Sequence, residues 1–238
     1  MKSRIAVLAS GGGTNLQALL DHFAALGDER AGDVVVVASD RHDAGALARA
    51  VTRSVPTAII RESAVPGAQP LEAILDEHRV DLVALAGYVR LVPMEIVDRF
   101  RGRIVNVHPA LLPAFGGAGM YGVRVHQAVL DAGATVSGVT VHFVDQAYDR
   151  GPVIAQWPVP VLADDTTASL AARVLRVEHA LYPIAVNAVA AGRVALAPDG
   201  RVKRITGHEA GASDDWAFCL SSSPGPRLAS EIARAIGA

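Results

Sequence analysis

Cysteine is almost absent from this chain of 238 residues, which contains only Cys219. A single cysteine excludes an intrachain disulfide and a zinc site built from several cysteine thiolates. The residue lies in a polar C-terminal stretch, which argues against a role as a catalytic nucleophile. Cysteine chemistry therefore does not explain what this protein does.

The chain also lacks a marked excess of charge and any long hydrophobic run. Its 24 acidic residues nearly balance 22 basic ones, so nothing favours nucleic acid or an acidic membrane surface as a partner. No apolar run approaches membrane-spanning length, and the N-terminus shows no signal-peptide pattern. We therefore expect a cytoplasmic protein with neither nucleic acid nor a membrane as partner. A homodimer is one alternative for its assembly.

Hydrophobic residues make up 51% of the chain and charged residues 19%, which is typical of a folded globular protein. Short β-branched runs, such as residues 4–10 and 33–39, alternate with longer stretches of helical periodicity. Continuous apolar strands that alternate with helices predict an α/β fold with a mostly parallel central sheet and helices on both faces. Ligands of such sheets bind beyond the carboxyl ends of the strands.

The periodic pattern ends near position 201. A long helical pattern covers residues 167–192, and the chain then becomes polar and loop-like. We expect one domain over residues 1–200 and a C-terminal extension over residues 201–238, whose role the sequence does not indicate.

A glycine-rich stretch, SGGGTNLQ, follows the first predicted strand at residues 10–17. Glycines let the backbone approach a ligand closely, and the next helix presents free N–H groups to an anion, usually a phosphate. Thr14 and Asn15 add a hydroxyl and an amide. The stretch is therefore a candidate phosphate-binding loop.

Two alternative interpretations of this loop stay open. Thr14 with Gln17 fits a capping box, which would use the threonine purely structurally. A dinucleotide could also be the ligand, with Asp40 binding a ribose at the end of the second strand. The G-x-G-x-x-G fingerprint of dinucleotide sites fails, however, at Leu16.

A second candidate site lies in IVNVHPALLP, residues 104–113. Asn106 and His108 are two residues apart on a predicted strand, so their side chains share one face where the strand ends. A lone histidine in a strand is commonly a satisfied core residue, but an amide beside it favours a polar site. Together they could donate hydrogen bonds to one oxyanion. Asp149, in a later turn, matters only if the fold brings it near His108.

The segments SGGGTNLQAL, LVALAGYVRLV, IVNVHPALLPAF, VSGVTVHFVD, DRGPVIAQ and RVEHALYP occur in this order over most of the chain. With them the chain resembles the folate-dependent formyltransferases, and the glycine loop points to their glycinamide ribonucleotide branch. The resemblance implies a Rossmann-like fold and formyl transfer from 10-formyltetrahydrofolate to the amine of 5-phosphoribosylglycinamide, in purine biosynthesis. It implies no metal.

The resemblance also assigns roles to individual residues. Asn106 and protonated His108 would stabilise the oxyanion, while Asp149 would favour the imidazolium and assist proton transfer. The phosphate loop would comprise Gly12, Gly13, Thr14 and Asn15, and Glu178 would bind the ribose hydroxyls. The folate's pterin pocket would be lined by Tyr88, Val89, Arg90, Leu91, Val92, Val144, Asp145, Gln146, Ala147 and Tyr148.

The chain departs from the family at two places. The family usually carries an arginine for the folate's glutamate tail, but residues 63–71 contain no basic residue and Arg61 is out of register. The glycine-rich stretch before His126, a further candidate substrate contact, is longer than in the simplest members. Recognition of the folate tail is therefore not explained by the sequence.

Three rival functions remain to be distinguished. A formyltetrahydrofolate hydrolase would use the same three residues with water as the acceptor, but normally carries an additional N-terminal regulatory domain. Formylation of initiator tRNA normally needs an RNA-binding domain larger than the tail after residue 201. A non-catalytic nucleotide-binding module would leave Asn106, His108 and Asp149 as structural coincidences.

Overall fold

The computed structural model describes residues 1–60 and 69–204, together with Ser230. Its central sheet is built from seven strands: β1 (Ser3–Leu8), β2 (Gly32–Ser39), β3 (Thr57–Ile59), β4 (Leu82–Leu85), β5 (Ile104–His108), β6 (Val136–Phe143) and β7 (Val153–Pro160). They lie in the order β3-β2-β1-β4-β5-β6-β7. The first five strands are parallel, and β6 and β7 complete the sheet in antiparallel pairings.

Helices cover both faces of this sheet. They are α1 (Thr14–Leu26), α2 (Gly45–Thr52), α3 (Leu71–Glu77), α4 (Met94–Arg99), α5 (Val123–Asp131) and α6 (Thr167–Ala190), with a short 3-10 turn at Gly27–Glu29. Successive side chains of a strand face opposite ways, so Ile5 and Val7 join the core under α1 and α6, whereas Ala6 and Leu8 join the core under α3 and α4. The predicted α/β fold, with a mostly parallel sheet covered on both faces, is confirmed.

The strand order reverses between β1 and β4. The chain runs outward from β1 to β2 and β3, then returns to place β4 and β5 on the other side of β1. Loops that leave the carboxyl ends of β1 and β4 therefore diverge and open a crevice between them, which is the usual ligand site of an open α/β sheet.

The pairing of β5 with β6 sets which side chains face that crevice. Asn106 lies opposite His142, and His108 lies opposite Thr140. The β6–β7 connection that follows carries Asp149, so the antiparallel half of the sheet supplies side chains that a purely parallel sheet would not.

A small hairpin follows α6 and was not predicted from the sequence. Its strands are β8 (Val194–Leu196) and β9 (Val202–Arg204), and they pair antiparallel. The hairpin crosses position 200, where we expected the domain to end. Most of the predicted extension, with Cys219, and the segment that contains Arg61 lie outside the described residues. No helix in the described part of the chain is long and apolar enough to cross a membrane.

Tyr182 of α6 ties two parallel strands together at the sheet's centre. Its side chain is fully buried, and its hydroxyl donates to the carbonyl oxygens of Leu85, at 2.8 Å, and Val105, at 3.3 Å. Burial raises the pKa of the phenol well above its ordinary value, so the hydroxyl keeps its proton and stays a donor.

We expect Tyr182→Phe to lower the free energy of unfolding by about 1 kcal/mol, because a buried hydrogen bond is lost while the ring still packs. Urea denaturation monitored by circular dichroism measures this. Tyr121→Phe is the matched control, since Tyr121 is 45% exposed. Equal stability of Tyr182→Phe and the wild type would contradict the assigned role of the hydroxyl.

Candidate active site

A cavity of about 570 Å³ opens at the carboxyl ends of β4 and β5. Asn106, His108 and Asp149 all line it, as do Asn15 and Glu178 at one side. Residues that sequence reasoning selected at three separate places in the chain therefore border one space, but Gly12, Gly13 and Thr14 of the predicted phosphate loop do not line it. The size is in the range of small-molecule sites.

Asp149 lies within reach of both members of the strand pair. Its Oδ2 is 3.5 Å from Nδ1 of His108, and its Oδ1 is 3.5 Å from Nδ2 of Asn106. The N–H of Gly117 also donates to Oδ2, at 2.9 Å. The geometric condition that the sequence could not test, a carboxylate next to His108, is met in the structure.

Asp149 is held as a carboxylate in spite of its burial. Its side chain is 9% exposed. Burial acts to raise its pKa, whereas a proton on the facing nitrogen of His142 or His108, and the N–H of Gly117, act to lower it. The net pKa lies below the ordinary value, so the side chain is negatively charged throughout the neutral pH range.

His108 is almost fully buried, at 3% exposure, and its Nε2 is 2.9 Å from the carbonyl oxygen of Phe115. A carbonyl only accepts, so Nε2 carries a proton and Nδ1 faces Asp149. Burial is the largest influence on the ring and lowers its pKa, while the charge of Asp149 acts in the opposite direction. Asp149 therefore favours the imidazolium as expected, but burial outweighs it and the net pKa lies below 6.5.

The backbone is left-handed at two residues near this histidine, Phe115 and Asp149, and is strained at the first of them. Phe115 has a φ of 54° and Asp149 a φ of 55°, in the left-handed region that side chains other than those of glycine, asparagine and aspartate seldom adopt. Phe115 uses this conformation to present its carbonyl to His108, and Asp149 uses it at the turn that carries its carboxylate inward. Such strain is common at functional sites.

His142 is a fourth polar group at this site, and sequence reasoning missed it. Its Nε2 is 3.1 Å from Nδ2 of Asn106, and its Nδ1 is 2.8 Å from the carbonyl oxygen of Phe143. Because that carbonyl only accepts, the neutral ring has its proton on Nδ1 and a free lone pair on Nε2. His142 thereby accepts from Asn106 and fixes the orientation of its carboxamide.

The glycine loop stands against the first turn of α2. Gly13 has a φ of 73° and precedes α1 directly, and a side chain there would approach Cα of Ala46 to 2.6 Å. The N–H of Ala46 donates to the carbonyl of Gly11, and Nε of Arg49 donates to the carbonyl of Gly12, at 2.7 Å. These contacts hold the loop through its carbonyl oxygens.

The capping-box interpretation of this loop is wrong. The residue that caps α1 is Gly13, and it makes no side-chain cap; Thr14 is already the first helical residue. The Gln17 side chain turns away and bonds to Asp21. Leu16, which broke the dinucleotide fingerprint, is fully buried in the core.

Asn15 and Glu178 meet across the cavity wall. Nδ2 of Asn15 donates to Oε2 of Glu178 at 2.6 Å, and Oδ1 of Asn15 has no hydrogen-bond partner among the described residues. Burial raises the pKa of Glu178, while the bond from Asn15 acts in the opposite direction. The pair therefore presents acceptor oxygens to whatever occupies this side of the cavity.

The opposite wall consists of the predicted folate residues. Those after β4 that line the cavity are Tyr88, Val89, Arg90, Leu91 and Val92, and those after β6 are Val144, Asp145, Ala147 and Tyr148. Gln146 does not line it, because its side chain turns outward and its Nε2 donates to Asp98 on α4, at 3.3 Å. Asp40 also lies outside the cavity wall, with its side chain buried behind the first of these loops.

His126 borders the cavity from α5. It is 4% exposed, and its buried Nδ1 has no hydrogen-bond partner within the part of the chain that the structure describes. Burial lowers the pKa of this ring, and the nearby charge of His108 adds to that effect. Among the described residues no cluster of histidine, cysteine and acidic side chains has the arrangement of a metal site.

We expect acid to destabilise the protein as the pH falls below about 6.5. The folded-state pKa values of His108 and His126 lie below 6.5. Below that pH the two histidines therefore bind protons in the unfolded chain more readily than in the folded chain. Each ring contributes up to about 1.4 kcal/mol per pH unit to the loss of unfolding free energy within its window.

His126→Gln should flatten the slope of unfolding free energy against pH, measured by urea titrations, whereas His42→Gln, at an exposed position, should not. A slope unchanged by His126→Gln would contradict the lowered pKa assigned to His126.

Comparison with known proteins places the chain in a family. Residues 3–186 match the formyl transferase family. A protein of Arabidopsis thaliana named "Phosphoribosylglycinamide formyltransferase, chloroplastic" is 42% identical over 84% of this chain and 69% of its own length. That name puts the plant protein in the chloroplast, and the cytoplasmic location of this chain stays a prediction.

Solved structures agree with the sequence match. The glycinamide ribonucleotide transformylase 1 of Symbiobacterium toebii superposes with a TM-score of 0.76 at 42% identity, over 86% of this chain and 95% of the other. A formyltetrahydrofolate deformylase of Pseudomonas syringae, 22% identical with a TM-score of 0.74 over 87% of this chain and 67% of its own, shares the fold. The chain belongs to the formyl transferase family, among the phosphoribosylglycinamide formyltransferases.

Proposed function

We propose that this protein transfers the formyl group of 10-formyltetrahydrofolate to the amine of 5-phosphoribosylglycinamide. The observation that carries the proposal is the convergence of Asn106, His108 and Asp149 between two different walls of one cavity. One wall offers Asn15 and Glu178, near a glycine loop suited to a phosphate; the other is largely apolar and suits a flat heteroaromatic ring.

The reaction needs an oxyanion site and a proton acceptor. The glycinamide nitrogen attacks the formyl carbon, a C–N bond forms, and the carbonyl π electrons move to oxygen. In our proposal Nδ2 of Asn106 and the protonated Nδ1 of His108 donate hydrogen bonds to that oxygen, because Nε2 of His108 is already engaged by the Phe115 carbonyl; each donor contributes on the order of 10²–10³ in rate. Burial disfavours the imidazolium of His108, and the negative charge that develops on the oxygen counteracts that effect.

The proton of the attacking amine must leave before the intermediate can collapse. The Asp149 carboxylate is the acceptor we propose, through a bridging water. The electron pair then returns from the oxyanion to carbon, the bond to N10 of the folate breaks, and N10 takes up the proton that Asp149 had accepted. The products are the formylated glycinamide and tetrahydrofolate, with no net change in protons.

His142 supports this scheme as a positioning residue. By accepting from Nδ2 of Asn106 it holds the carboxamide in one of its two orientations. One hydrogen of Nδ2 is committed to His142, and the other points toward Asp149 across a long contact of 3.5 Å. That second hydrogen is the donor available to an oxyanion.

We expect purified protein to release tetrahydrofolate from 10-formyltetrahydrofolate only when 5-phosphoribosylglycinamide is present. His108→Ala should lower kcat at least about 100-fold, since an oxyanion donor is lost, while binding of both substrates persists. Absorbance of the folate follows the reaction, and His42→Ala, a surface histidine, is the control. Deformylation without the ribonucleotide would favour a formyltetrahydrofolate hydrolase, and binding without any turnover would favour a nucleotide-binding module.

We expect Glu178→Gln to raise the KM for 5-phosphoribosylglycinamide about 10-fold with little change in kcat or in the KM for the folate. A buried carboxylate can accept from two ribose hydroxyls, whereas an amide offers one acceptor and two donors. Steady-state kinetics with each substrate varied in turn measures this. The control is the exposed Glu77→Gln, and an effect of Glu178→Gln on the folate alone would refute the ribose assignment.

A further inference from the structure

A buried carboxylate behind the cavity wall joins three loops. Asp40 follows β2, and its side chain is 3% exposed. Its Oδ1 accepts from the hydroxyl of Ser10, at 2.6 Å, and its Oδ2 accepts from Nε of Arg90, at 3.3 Å. Ser10 follows β1 and Arg90 follows β4, so the contacts link the carboxyl ends of three adjacent strands.

The hydrogen bonds form a chain with a fixed direction. The backbone N–H of Val89 donates to the hydroxyl oxygen of Ser10 at 3.2 Å, and that hydroxyl donates to Asp40. A carboxylate can only accept, so the hydroxyl proton of Ser10 is committed to Asp40 and its lone pair is left for Val89. The negative charge strengthens each bond of the chain.

The loop held in this way is a wall of the cavity. Residues 87–92 all line the space, whereas neither Ser10 nor Asp40 does. The backbone N–H of Ser10 also donates to the carbonyl of Gly87, at 3.1 Å. Main-chain and side-chain bonds from Ser10 therefore fix both the start of the loop and its third residue.

We propose that Asp40 is a positioning residue for the folate side of the cavity, which it shapes through Ser10 and Arg90 without touching the ligand. This inference rests on the proposed function, because it assigns the wall formed by residues 87–92 to the folate. Asp40 is the acid that a dinucleotide site would have used for a ribose. Its two oxygens are instead engaged by protein groups, which accounts for the residue without a dinucleotide.

Titration calorimetry with two ligands, the stable donor 10-formyl-5,8-dideazafolate and 5-phosphoribosylglycinamide, tests the proposal. Asp40→Ala and Ser10→Ala should each weaken folate binding about 10-fold, since each breaks the same charge-assisted chain. The double variant should be no weaker than either single one, because both substitutions remove one unit. Binding of the ribonucleotide should change less than about 2-fold, since Asn15 and Glu178, which we assign to it, lie outside the loop of residues 87–92.

Asp40→Asn should weaken folate binding less than Asp40→Ala does, a difference that global destabilisation would not produce. Its amide oxygen can still accept from Ser10, but its NH₂ group faces the Arg90 guanidinium, so folate binding should weaken only about 3-fold. Because this variant keeps the shape of the side chain, it also carries the test if Asp40→Ala fails to fold. Asp43→Ala, on the same loop but half exposed and paired with Arg41, is the matched control.

Each of the other outcomes would overturn either the positioning role of Asp40 or the proposed function. Folate affinity unchanged in Asp40→Ala and Ser10→Ala, or both ligands weakened equally, would overturn the positioning role while the proposed function stands. Additive losses in the double variant would also overturn it, because the two residues would then act independently. Failure of the wild-type protein to bind the folate would refute the proposed function, and the positioning role with it.

Discussion

The register between β5 and β6 is the constraint on which the site depends. It puts Asn106 opposite His142 and sets the β6–β7 connection so that Asp149 returns to His108. Side chains alternate between the faces of a sheet, so a slip of one residue would turn the β6 histidine into the opposite core. The buried apolar residues on each side of the sheet resist such a slip. The packing of the core thereby fixes the chemistry of the cavity.

Burial then sets the electrostatics of these residues. Removing a histidine from water disfavours its charged form, and removing a carboxylate from water does the same. In the pair of His108 and Asp149 the two outcomes differ: the donors around the carboxylate lower its pKa in spite of burial, whereas burial lowers the pKa of the imidazole in spite of the carboxylate. The site thus holds a negative charge beside a ring able to take up a proton, an arrangement suited to the reaction we propose, which generates both an oxyanion and a displaced proton.

Much of the fold and part of the site could be predicted from the sequence. Apolar runs that alternate with amphipathic stretches specify a parallel sheet, and the spacing of Asn106 and His108 specifies a shared face. The position of Asp149 beside them depends on a long-range pairing, which no local pattern encodes. His142 was missed for the same reason, because a histidine inside an apolar strand shows its role only once the opposite strand is known.

Local patterns failed where the backbone, and not a side chain, determines the structure. The Thr14 and Gln17 spacing of a capping box was present, but a glycine with positive φ already begins α1, which left the threonine no cap to make. The hairpin of β8 and β9 has strands of three residues each, too short for a periodic signal. Gln146 belongs to a loop that faces the cavity, yet its own side chain turns outward. Assigning a whole loop to a site does not reveal which of its side chains point into that site.

The left-handed backbone at Phe115 and Asp149 sets a limit on redesign of this protein. The conformation costs on the order of 1 kcal/mol at Phe115, which a glycine would return, and less at Asp149, since aspartate adopts it more readily. Glycine at position 149 would delete the carboxylate, and glycine at position 115 would loosen the carbonyl that holds the His108 proton. A stabilisation programme guided by backbone geometry would select these two positions early, and each substitution would disturb a group to which we assign a part in the proposed reaction.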